Sequence, residues 1–75
     1  MQRYANPSGS SGIQGYEIGG DTIRIRFGDG SVYRYSYASA GMDNIERMKT
    51  LARKGQGLNT FINTTVREEY AERER

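Results

Sequence analysis

Two runs of alternating residues flank the turn Gly28-Asp29-Gly30, and this constrains the fold of the chain more than any other feature. Before the turn, Ile23, Ile25 and Phe27 alternate with Thr22, Arg24 and Arg26. After it, Tyr33, Tyr35 and Tyr37 alternate with Arg34 and Ser36. A period of two places successive side chains on opposite faces of a strand, so the segment reads as an antiparallel hairpin. Loop length decides which residues share a face. A two-residue loop at Asp29-Gly30 would pair Phe27 with Val32 and set Tyr33 and Tyr35 beside Arg26 and Arg24. A three-residue loop, with Gly30 left-handed as in a G1 bulge, pairs Phe27 with Ser31, Ile25 with Tyr33 and Ile23 with Tyr35. Register follows the face that must be buried, which favours the second choice. That register gathers Tyr16, Ile18, Ile23, Ile25, Phe27, Tyr33 and Tyr35 on one face and leaves Arg24, Arg26 and Arg34 on the other.

The neighbouring segments extend this pattern. Upstream, Tyr16 and Ile18 alternate with Glu17 before the turn residues Gly19-Gly20-Asp21, which adds a strand from Ile13. After Ser39 the period changes to that of a helix. Ile45, Met48, Leu51 and Ala52 form one stripe, Ser39 or Asp43 offers a start and Gly55 a stop. A second helical pattern runs through Leu58, Phe61, Ile62, Val66 and Tyr70, with Asn59 as its N-cap. Asn63, Thr64 and Thr65 are poor helix formers, which predicts irregularity there. The expected fold class is therefore α+β: a three-stranded antiparallel β-meander followed by two α-helices packed on one sheet face. Residues 1–12, rich in Gly and Ser, read as a flexible lead-in. Residues 13–70 form a single domain, and 71–75 read as a charged, solvated tail.

Composition narrows the chemistry. Of 75 residues, 35% are hydrophobic, so the large apolar side chains are needed for a small core. Cysteine and histidine are both absent, which excludes disulfides and zinc sites built on thiolate or imidazole. The acidic residues are scattered, and Glu68-Glu69 diverge around a helix. Gly28-Asp29-Gly30 lacks the lysine and following helix of a phosphate loop. The expectation is a non-enzymatic protein with no cofactor and no metal. No apolar run has the length of a membrane span or resembles a signal peptide, which predicts a cytoplasmic protein without a membrane partner.

The net charge of +2, from 11 basic and 9 acidic residues, does not by itself imply a polyanion partner. Charge placement suggests more. Arg24, Arg26 and Arg34 on the open sheet face could hold phosphates, and Tyr37, past the strand's centre, could stack a base. The plainer reading is a solvated face with Glu17 pairing across to Arg24, and Tyr33 and Tyr35 as core. Arg47, Lys49, Arg53 and Lys54 similarly read as the polar side of an amphipathic helix. The strand edges Ile13–Ile18 and Ser31–Tyr37 could instead pair with another protein or a second copy. Two functions stay open: an RNA-binding module, and a protein-interaction or dimerisation module.

The order of these elements resembles the KTSC domain over roughly residues 10–70. Ser10-Ser11-Gly12-Ile13 lead to Gly15-Tyr16, and Phe27 precedes a glycine turn. Tyr33-Arg34-Tyr35 supplies a central Y-x-Y, and Phe61-Ile62-Asn63, Val66 and Tyr70 supply the ending. The chain departs from the family at Ala52-Arg53-Lys54-Gly55-Gln56-Gly57, where an Ala-x-Ser-x-Gly segment is common, and lacks a proline between Tyr37 and Met42. The family occurs at the C-terminus of some lysyl-tRNA synthetases and as free-standing bacterial and phage-associated proteins. The resemblance implies a small α+β domain of uncharacterised function for which RNA binding has been suggested.

Overall fold

A computed structural model describes residues 1–5 and 12–75. Its elements run β1 (Gln2–Arg3), β2 (Ile13–Ile18), β3 (Thr22–Phe27), β4 (Val32–Ser36), α1 (Tyr37–Ala40), α2 (Met42–Lys54), α3 (Leu58–Phe61) and β5 (Glu72–Arg73). A π-helical stretch, Ile62–Val66, continues directly from α3. The five strands form one antiparallel sheet in the order β1-β2-β3-β4-β5.

The central hairpin has the three-residue loop. Ile25 lies opposite Tyr33 and Ile23 opposite Tyr35, while the Phe27 N–H donates to the Ser31 carbonyl at 2.8 Å. Gly30 has φ +89°, a left-handed conformation that side chains with a Cβ resist. Asp29 completes the turn by accepting from the Ser31 N–H at 2.9 Å and the Ser31 hydroxyl at 2.7 Å. Those two donors hold the Asp29 carboxyl below its ordinary pKa.

The sheet is wider than the three expected strands. β1 pairs Gln2 with Tyr16 and Arg3 with Gly15, and β5 pairs Arg73 with Tyr33 and Glu72 with Arg34. Within the edges proposed for partner pairing, Ile13–Ile18 and Ser31–Tyr37, residues 14–16 and 32–34 are thus already bonded within the chain. Residues 1–5 also differ from the expected lead-in: Tyr4 is only 3% exposed, and its hydroxyl accepts from the Leu58 N–H at 3.3 Å. Residues 6–11 of that lead-in lie outside the described residues. Likewise 71–75 is not simply a solvated tail. Both outer strands are two residues long and polar, so neither shows an alternation that periodicity could detect.

Helices cover the face that carries Ile23, Ile25 and Tyr35, which are buried together with Ile45, Met48, Leu58, Ile62 and Val66. The helix boundaries differ in detail from expectation. Ser36 and Ser39 form a capping box that starts α1, a turn ahead of α2. Asp43 therefore lies inside the first turn of α2, whose N-cap is Gly41, and Asn59 lies inside α3, whose N-cap is Gly57. Gly55 ends α2 in the left-handed region at φ +81°. A Cβ there would stand 2.6 Å from that of Ala5, so glycine also admits the first residues against the helix end. The expected irregularity at Asn63–Thr65 is the π-helical stretch, where the Thr64 hydroxyl donates to the Thr60 carbonyl at 2.8 Å.

Candidate functional site

Residues directly opposed on neighbouring strands share a face, so the register builds the uncovered side of the sheet row by row. One row runs Glu17–Arg24–Arg34–Glu72 across β2, β3, β4 and β5. The adjacent row runs Arg3–Gly15–Arg26–Val32 across β1 to β4. Arg24, Arg26 and Arg34 are thus gathered on one face, away from the helices.

Two of these arginines are engaged. Arg24 Nη1 lies 3.3 Å from Glu17 Oε1, and Arg34 Nη2 lies 3.0 Å from Glu72 Oε1. Glu74 reaches both: Oε1 lies 2.9 Å from Arg24 Nε and Oε2 lies 3.5 Å from Arg34 Nε. The Arg24–Glu74 contact is a close charge pair rather than an aligned hydrogen bond, and Arg24 Nε is shielded from solvent. Glu74, and to a lesser degree Glu17, raises the Arg24 pKa above its ordinary value. Both arginines remain partly open, with side chains 42% and 34% exposed. Arg3 and Arg26 make no ion pair among the described residues. Four arginines against Glu17, Glu72 and Glu74 leave this face at +1.

Tyr37 does not join the arginines. The chain turns into α1 at Ser36, so Tyr37 leaves the strand alternation and packs on the helix side. Its hydroxyl donates to Glu46 Oε2 at 2.7 Å, and Lys49 Nζ stands 5.6 Å from the ring centroid. Tyr37 is thus half-buried and stands apart from the arginines with which it was expected to act. Lys49, expected on a solvated helix face, is buried and donates to the Gly20 carbonyl at 2.7 Å and Glu46 Oε2 at 2.8 Å. These contacts hold the Glu46 carboxyl below its usual pKa, Lys49 contributing first and Tyr37 second. The bond to Glu46 raises the Tyr37 pKa in turn.

Tyr35 is 1% exposed, and burial, reinforced by Tyr33 and Tyr70, pushes its hydroxyl up to about 12. Tyr33 is half-buried and meets Phe27 and Tyr70 edge-on, with centroids 5.6 Å and 4.8 Å away. Phe27, Tyr33, Asn63, Arg67 and Tyr70 border a shallow cleft of about 570 Å³ beside the π-helical stretch. Sequence reading placed Tyr70 on a helix; it lies beyond the helix instead, 39% exposed. Sequence reading also missed Glu72 and Glu74. Their spacing of two residues, matching the parity of Arg24 and Arg34, was the available signal.

Among the described residues there is no cluster of His, Cys, Asp and Glu that could hold a metal ion, and no helix long and apolar enough to cross a membrane. No protein-family model matches the chain, and no curated protein or solved structure matches it.

Proposed function

We propose that this chain is a non-enzymatic, cytoplasmic binding module of the KTSC type that holds the phosphate backbone of single-stranded RNA on its arginine-bearing sheet face. The observation that carries this reading is the pair of contacts made by Glu74. Its carboxylate lies across Arg24 and Arg34, one oxygen to each, as the oxygens of a phosphate would. Arg3 and Arg26, one row away, supply further positive charge that no carboxylate neutralises among the described residues. Tyr33, Tyr35 and Tyr37 all lie on the helix side, so this face offers no tyrosine platform for bases. Binding would then be led by the backbone, tolerant of sequence and sensitive to salt.

Fluorescence polarisation with a short labelled single-stranded RNA tests the reading. Binding at low salt should weaken steeply as salt rises, by about −0.7 in log–log slope for each phosphate contact. Failure to bind at low salt contradicts it.

One observation favours a second reading, protein interaction: the anion that sits on these arginines is carried by an extended strand. On that reading an acidic strand from a partner or a second copy would displace residues 71–75 and pair with β4 in their place. A labelled acidic peptide that binds where RNA does not would select it.

A further inference from the structure

We infer that residues 71–75 act as a mask in cis, occupying the arginine pair with carboxylates that RNA phosphates must displace. The inference rests on the RNA-binding reading and concerns regulation of that same site. Two of the three carboxylates on the face, Glu72 and Glu74, come from this segment. Without them the face rises from +1 to +3, since only Glu17 still opposes the four arginines.

The segment is lightly held. Its strand is two residues long. Its backbone bonds include two of 2.7 Å, from the Ala71 N–H to the Arg34 carbonyl and from the Glu74 N–H to the Val32 carbonyl, and two longer ones of 3.3 Å exchanged between Val32 and Arg75. Apart from Glu74, all of residues 71–75 are exposed. Tyr70, the aromatic residue just before it, is itself 39% exposed. By contrast, Arg24 and Arg34 sit on the long central strands β3 and β4 and stay in place when the segment leaves. Arg3 and Arg26 give an incoming backbone a first hold one row away. Phosphates then compete with Glu72 and Glu74 for the same guanidinium groups.

The test compares the unmodified chain with Glu72→Gln/Glu74→Gln, which keeps side-chain shape and removes both charges. RNA affinity at low salt should rise about tenfold or more in the variant, as expected when two competing charges leave a polyelectrolyte site. Equal affinity overturns the mask while leaving the RNA reading standing. Absence of binding by both proteins removes the RNA reading and the mask with it. A second measurement needs no variant. On saturation of the unmodified chain with RNA, the Ala71 and Glu74 amides should lose hydrogen-exchange protection; full retention overturns the inference.

Discussion

Arg24 and Arg34 stand directly opposite one another on β3 and β4, two like charges in a position where cross-strand repulsion is unfavourable. Glu74 lies between them and touches both. The fold therefore places an anion where the arginine pair requires one, and does so with an exposed, short-stranded segment. The pairs to Glu17 and Glu72, whose side chains are more than half exposed, contribute little to stability, and Glu74, though only 19% exposed, meets guanidinium groups that remain partly open. The hydrophobic face of the sheet holds the domain together, which leaves the arginine face available for binding.

Glu74→Gln should accordingly leave the domain folded, with a melting temperature within a few degrees of the unmodified protein at physiological salt. Thermal unfolding followed by circular dichroism checks this. Loss of the cooperative transition would show that the bridge is structural.

The two sheet faces should respond differently to truncation. Tyr35→Ala removes a fully buried ring and should cost about 3–5 kcal/mol, enough to unfold much of a small domain. Arg34→Ala should stay folded. Urea unfolding of both variants is the measurement, and a stable Tyr35→Ala protein would contradict the core assigned to this face.

Burial of Tyr35 also sets an alkaline limit. Its folded pKa of about 12 lies above the ordinary value of 10, so the neutral form is favoured by folding. The resulting stability is complete below pH 10 and is lost as pH rises towards 12. Melting temperature should fall across that window in the unmodified protein and fall less in Tyr35→Phe. Identical profiles would contradict the assignment.

Tyr4 and Gly55 should report on the docking of the first residues. Tyr4→Phe deletes the acceptor for the Leu58 N–H and should cost about 1 kcal/mol. Gly55→Ala puts a Cβ into a left-handed position and against Ala5, and should cost at least about 1–2 kcal/mol. Chemical denaturation measures both; neutral substitutions would show that residues 1–5 do not pack as described.

Much of the central fold was legible because it follows from local rules. Gly30 and the need to bury one face determine the hairpin register, and the Ile45–Met48–Leu51–Ala52 stripe with Gly55 determines α2. The added strands were not legible, because Gln2–Arg3 and Glu72–Arg73 contribute backbone pairing rather than apolar periodicity. Strand parity identifies the arginine face, and register identifies Glu17 as a partner of Arg24. Glu72 reaches Arg34 across 38 residues of sequence, and no local pattern encodes the return of the chain after Val66. Alternation alone does not place Tyr37, because the Ser36–Ser39 capping box ends the strand one residue before it.

The most direct test of the arginine pair as a phosphate site is the salt dependence of RNA affinity in Arg24→Gln/Arg34→Gln beside the unmodified protein. Loss of two phosphate contacts should reduce the log–log slope by about 1.4, together with a clear loss of affinity at low salt. An unchanged slope with unchanged affinity would contradict the assignment of RNA binding to Arg24 and Arg34.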